Sequence, residues 1–142
     1  MKNYITLSLC LLSLAALGQQ PSAVIDQKEH LIVMQFSNGD SLQQMGIVTQ
    51  LGNIREAWPN AKIEVVCHSS GLDMLTTAKS KVGKQVANFS TQGITFAACN
   101  NTMKRRNVKK EDLLPSSVVV PSAMLEIVTK QEQKWSYLKA GY

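Results

Sequence analysis

Gly93-Ile94-Thr95-Phe96-Ala97-Ala98-Cys99-Asn100-Asn101-Thr102-Met103 is the stretch on which the reading of the fold turns. An apolar run from Ile94 to Ala98 ends abruptly at a thiol, and two Asn and a Thr lead into a helix-like segment. In an α/β domain such a junction is the carboxyl end of a strand, the edge where open parallel sheets place ligands. A thiol there stands just ahead of a helix amino terminus, whose partial positive charge favours thiolate over thiol. The competing reading is a buried cysteine that packs as a small hydrophobe.

Outward from this stretch the same alternation repeats. His30 to Phe36 is nearly all apolar, the pattern of a strand buried on both faces. Ser37-Asn38-Gly39-Asp40 is a turn with Asp40 or Ser41 placed to cap a helix, on which Ile47, Leu51, Ile54 and Trp58 recur at helical spacing. Ile63 to Cys67 is a second strand, followed by His68-Ser69-Ser70-Gly71 and a short helix from Leu72 to Thr76. Val82, Val86 and Phe89 mark the next helix, closed by Gly93, and Thr102 to Arg106 begins another after Cys99. Ser117 to Val120 is a fourth strand, and a last helix is expected from about Ser122 to Lys139, with Leu125, Val128, Trp135 and Leu138 on one side. Strands alternating with helices imply a mostly parallel sheet with helices on both faces, a single three-layer α/β domain.

The 142 residues suffice for one domain with a real core, and shares of 44% hydrophobic and 18% charged are ordinary for a globular chain. The first eighteen residues fall outside that core. Lys2, the apolar run Ile5 to Leu17 and the small residues of Ala16-Leu17-Gly18 read as a cleavable signal peptide, residues 1–18. The run is too short for a membrane span, which takes roughly 20 apolar residues. Residues 19–29, polar and containing Pro21, read as a flexible mature amino terminus, and residues 30–142 as the domain. The expected location is periplasmic or secreted, without a membrane span.

Cleavage removes Cys10 and leaves Cys67 and Cys99. An oxidising compartment invites a disulfide between them. With strand one placed between strands two and three, their backbones stand about twice the ~4.8 Å strand spacing apart, beyond the ~7 Å limit for a bridge. The same strand order brings Asn38-Gly39-Asp40, His68-Ser69-Ser70-Gly71 and Cys99-Asn100-Asn101-Thr102 to one edge. Cys99 is the candidate nucleophile there, with His68, Asn101 and Thr102 as auxiliary, substrate-binding candidates. A thiol beside an imidazole forms a thiolate–imidazolium pair, whereas a loop histidine also serves simply to bond backbone. Cys67 is expected to point into the packing, and His30, at the opposite edge, to be a surface residue.

Other chemistries find little support. Neither Gly-x-Gly-x-x-Gly nor a P-loop follows a strand, so no nucleotide cofactor is expected. There is no Cys-x-x-Cys, no His-x-x-x-His and no dense acidic cluster, and adjacent Cys67 and His68 point to opposite faces, so no metal is expected. Lys104, Arg105, Arg106, Lys109 and Lys110 form the one basic cluster. It reads as a solvated face balanced by Glu111 and Asp112, or as a field that lowers the Cys99 pKa. Without interleaved aromatic residues it gives no support to nucleic-acid binding.

Ile63-Glu64-Val65-Val66-Cys67-His68-Ser69-Ser70-Gly71-Leu72, the Gly93–Met103 stretch, Val119-Val120-Pro121-Ser122-Ala123, Glu126-Ile127 and Gln133-Lys134-Trp135-Ser136-Tyr137 together resemble the DsrE/DsrF-type, YchN-like superfamily. The resemblance spans His30 to Tyr142. It implies a flavodoxin-like α/β fold assembled into trimers or hexamers. It also implies a cysteine after the third strand that carries a persulfide, a position matched by Cys99, and a recurring histidine matched by His68. Ser69 departs from the family segment, which often has Gly there. The resemblance thus implies a sulfur carrier or sulfurtransferase, with a sulfane-sulfur donor or acceptor as partner and no cofactor. The alternative is a non-catalytic, oligomeric small-ligand-binding protein with a structural Cys99.

Overall fold

The computed structural model describes residues 25–141. The chain runs through β1 (Leu31–Phe36), α1 (Ser41–Ala57), β2 (Lys62–Cys67), a 3-10 segment (Ser69–Leu75), α2 (Gly83–Thr91), β3 (Thr95–Cys99) and α3 (Asn100–Arg105). A 3-10 turn (Lys110–Asp112), β4 (Ser117–Val120), α4 (Ala123–Glu132) and β5 (Ser136–Ala140) complete it. The expected signal peptide, residues 1–18, and residues 19–24 lie outside the described residues. Ile25–Glu29 forms no regular element; its Asp26 N–H donates to Ala57 O at 3.0 Å.

The five strands pair in the order β4-β3-β2-β1-β5, every pair parallel. This corrects the expected placement of strand one between strands two and three: β2 lies between β1 and β3. Apolar residues on both faces mark a strand as interior but carry no information about which neighbours flank it. Five of the six β2 residues are buried, in keeping with its place at the middle of the sheet.

The expected last helix is also corrected. α4 stops at Glu132, and the chain turns at Lys134, whose φ of 69° lies in the left-handed region. Ser136 to Ala140 then forms an edge strand beside β1. Glycine usually signals such a helix stop, and here a lysine takes the position. Trp135 therefore packs after the helix against the sheet, and Leu138 lies on β5.

Side-chain alternation divides the sheet into two dissimilar faces. On one face Met34, Phe36, Ile63, Val65, Cys67, Phe96 and Ala98 pack against Ile47 and Leu51 of α1, Val86 and Phe89 of α2, and Met103 of α3. Phe36 and Phe96 are fully buried there, each contributing about 2–3 kcal/mol of apolar burial. On the other face a smaller cluster of Val33, Val66, Ala97 and Cys99 meets Ala123 and Ile127 of α4. Asp40 caps α1 by accepting the Leu42 N–H at 2.8 Å, and Gly93, at φ 82°, ends α2 before β3.

The connections following β1, β2 and β3 pack on the first face and that following β4 packs on the second. The chain thus diverges between the carboxyl ends of β3 and β4, which pair with Cys99 opposite Val120. Such a switch point leaves a crevice that open α/β sheets use for ligands.

Candidate functional site

A cavity of about 290 Å³ opens at that switch point, and its wall includes His68, Ser69, Cys99, Thr102, Arg105 and Ala123. Asn101 also faces it, so the four residues expected at the site from the sequence lie together. Asn38-Gly39-Asp40 does not line this cavity. Gly39 instead approaches Ser70, where an added Cβ would lie 2.2 Å from the Ser70 carbonyl oxygen. A larger hollow of about 570 Å³ lies beside β4; its wall includes Lys110 and Ser117 and, among the described residues, no thiol or imidazole.

Cys99 is the last residue of β3 and the cap position of α3. Its Sγ accepts the backbone N–H of Ala123 at 3.3 Å, the first residue of α4. Burial pushes this thiol up. The Ala123 N–H, the Thr102 hydroxyl and the N–H groups of Thr102 and Asn101 together outweigh burial and hold its pKa below the ordinary thiol value. The side chain is only 4% exposed, so reagents reach it through the cavity and not from a flat surface.

Cys67 gives the contrast. It pairs with Ala98 on the adjacent strand and belongs to the first face, fully buried, and burial alone pushes its thiol far up. Both cysteines are free. The strands that carry them are neighbours, so the expected separation by an intervening strand is not what keeps them apart. They lie on opposite faces of the sheet, and that prevents a bridge.

His68 follows Cys67 and returns to the Cys99 face. Burial first, and then the charge of Arg105, lowers its pKa, so the ring is neutral at neutral pH. Its Nε2 lies 2.8 Å from Gln35 Nε2, and its Nδ1 lies 3.0 Å from Ser69 Oγ. Both ring nitrogens are thus engaged by residues other than Cys99. The expected thiolate–imidazolium pair is replaced by a neutral imidazole beside a thiol held by amide and hydroxyl donors. The basic cluster likewise acts on His68 and not on Cys99: Arg105 lines the cavity, while Arg106 is committed to Ser69 O at 2.8 Å and Asp73 at 2.6 Å.

Two participants were not anticipated. Gln35 on β1 and Tyr137 on β5 extend the hydrogen-bonded chain, with the Tyr137 hydroxyl donating to Gln35 Oε1. Gln35 breaks an otherwise apolar strand, which is the signal the sequence offers; Tyr137 falls in the span expected to be helical and lies instead on β5. Ser69 takes φ 52°, which costs a non-glycine residue about 1–2 kcal/mol. Its N–H donates to Thr102 Oγ1 at 3.2 Å, and Arg106 holds its carbonyl, so the loop is fixed from both sides. Among the described residues, no group of three or more His, Cys, Asp or Glu side chains is placed to hold a metal ion.

The DsrE/DsrF-like family profile matches residues 30–140, the whole of the sheet and its helices. The chain belongs to the DsrE/DsrF-like family. Membership supports, in broad terms, a relationship to sulfur-relay proteins and assigns no donor, acceptor or chemistry. Among solved structures, a Methanobacterium thermoautotrophicum protein of unknown function is similar at 27% identity and a TM-score of 0.74, over 78% of this chain and 98% of that one. The YchN protein of E. coli aligns at 15% identity and a TM-score of 0.62, over 80% of this DsrE/DsrF-like chain and 99% of its own. A conserved protein of unknown function from Bacteroides thetaiotaomicron aligns at 14% identity and a TM-score of 0.59, over 76% and 92% of the two chains. These last two likenesses establish the fold alone. No curated protein matches the chain. Among the described residues no helix is long and apolar enough to cross a membrane.

Proposed function

We propose that this DsrE/DsrF-like protein carries sulfane sulfur as a persulfide on Cys99, in the exported compartment that its amino terminus suggests. The observation that carries the reading is the Cys99 thiol itself: it lies at the wall of the switch-point cavity, accepts the Ala123 N–H, and has a pKa below the ordinary thiol range. Thiolate is the reacting form in sulfur exchange. The Cys99 proton passes to solvent, and the thiolate attacks the outer sulfur of a donor such as thiosulfate. An S–S bond forms at Sγ as the donor's own S–S bond breaks, and sulfite leaves with the electron pair. No oxidant is consumed. An acceptor thiolate takes the outer sulfur in the same manner and restores Cys99.

The proposal includes self-association. Val118 and Val119 of the edge strand β4 and Met124, Leu125 and Val128 of α4 are exposed, an apolar set that adjoins the cavity through Met124. Light scattering should return a multiple of the protomer mass; a monomer at all concentrations removes this part alone. For the carrier reading, the intact mass of the mature protein should rise by one sulfur atom after incubation with thiosulfate, and should not rise in Cys99→Ser. No adduct on the wild-type protein leaves Cys99 a packing residue and favours a non-catalytic binding protein.

A further inference from the structure

The hydrogen-bond chain behind Cys99 has a direction that leaves one proton over. The Tyr137 hydroxyl donates to Gln35 Oε1, and the same amide presents its NH₂ group to His68. That group is a donor only, so His68 Nε2 must accept. The ring proton is then on Nδ1 and is donated to Ser69 Oγ at 3.0 Å. Ser69 Oγ is the acceptor at the end of this chain, so its own hydrogen is not spent within it, and Ser69 lines the Cys99 cavity. Arg105 brings positive charge to the same wall, and no carboxylate among the described residues lies on it. A serine holds this place at φ 52°, where glycine would sit without strain but without a hydroxyl.

We propose that the Ser69 hydroxyl donates to the anionic end of a sulfane donor bound in the Cys99 cavity, and that Tyr137, Gln35 and His68 are positioning residues that keep that hydrogen available. The inference rests on the carrier reading and deepens it by naming the substrate class. The donors accepted are small sulfane compounds with an oxyanion terminus, of which thiosulfate is the simplest, in preference to neutral polysulfides. During the attack on the outer sulfur, negative charge passes to the departing sulfite. Ser69 and Arg105 meet that charge, and a donor aimed at developing charge lowers the barrier.

Ser69→Gly tests the role of the hydroxyl without demanding a strained backbone. The variant should keep or raise the thermal midpoint, and should load sulfur from thiosulfate about tenfold more slowly. Its adduct formation with a neutral organic trisulfide, in which Cys99 attacks the central sulfur to give a mixed trisulfide and one thiolate leaves, and its alkylation by iodoacetamide should match wild type. Imidazole nitrogen NMR supplies the second readout: His68 should be neutral with its proton on Nδ1 in wild type, and Tyr137→Phe should reduce that population and slow thiosulfate loading a few-fold. Equal thiosulfate rates in wild type and Ser69→Gly overturn the role of Ser69 while the carrier reading stands. A wild-type ring protonated on Nε2 overturns the positioning chain. Failure of the wild-type protein to load from either donor removes the carrier reading, and the role of Ser69 with it.

Discussion

Cys67 and Ala98 point into the layer of α1 and α2, while His68, just past the end of β2, and Cys99, the last residue of β3, face the cavity beside α4. The first face buries a large, wholly apolar cluster, and a thiol in it is silenced by desolvation. The second buries few apolar residues and admits Gln35, Glu64, His68, Cys99 and Tyr137 beside α4. A one-residue step along a strand therefore decides whether a cysteine is sealed in the core or lines the cavity. The proposed chemistry sits on the α4 face, and the larger apolar cluster lies on the other.

The contrast is broken most severely at Lys130. Its Nζ lies 2.7 Å from Glu64 Oε2 and 4.5 Å from the Trp135 ring centre, and Glu64 Oε1 is buried with no hydrogen-bond partner. Burial pushes the Glu64 carboxyl above its ordinary range, opposed by the Lys130 ammonium. Lys130→Met should cost about 3 kcal/mol in denaturant melts at neutral pH by leaving a buried carboxylate unpaired. A carboxyl with a raised folded pKa binds its proton more tightly when folded, so its contribution is fully present below the unfolded pKa and is lost as pH rises through the folded one. The deficit of Lys130→Met should accordingly shrink on acidification. A loss that does not change with pH would mean that the lysine acts only by packing.

Cys67→Ser sharpens the comparison at the next level. A hydroxyl placed among Phe36, Val65 and Ala98 without a partner should cost about 1–3 kcal/mol, yet leave sulfur loading intact. Cys99→Ser should do the reverse, abolishing loading with a change in melting below that of Cys67→Ser. Equal destabilisation by the two variants would show that both thiols serve the core.

A smaller effect comes from the Cys99 proton. Its folded pKa is depressed, with burial outweighed by the Ala123, Thr102 and Asn101 donors. The resulting stabilisation is present above the unfolded thiol value of ~8.5 and is lost as pH falls through the lower folded value. Melts of wild type and Cys99→Ala should converge over that window as pH drops. Curves that stay parallel would place the thiol pKa at its ordinary value.

Much of this organisation is legible in the residues. The run from Ile94 to Cys99, the caps at Asp40 and Gly93, and the grouping of His68, Cys99, Asn101 and Thr102 follow from periodicity and from the rule that parallel sheets work at their carboxyl edge. Strand order does not follow, because β1 and β2 carry similar apolar runs and only tertiary packing puts Lys62–Cys67 in the middle. β5 is hidden because Ser136–Ala140 is an exposed edge strand, whose Tyr137 and Leu138 stay partly open, and because a lysine makes the turn before it. With β5 unseen, the partnership of Tyr137 with Gln35 and His68 was out of reach. The neutral state of His68 depends on burial and on Arg105, quantities that a linear sequence does not display.

Peptide-resolved alkylation by limiting iodoacetamide, followed across pH, tests most directly the claim that the two faces assign the two thiols opposite roles. Cys99 should be labelled at least about a hundredfold faster than Cys67, which is exposed only by opening of the core. The Cys99 rate should fall as pH drops through an apparent pKa below the ordinary thiol value. Labelling of Cys67 at a comparable rate, or a Cys99 rate that falls away already at the ordinary thiol pKa, would contradict the account.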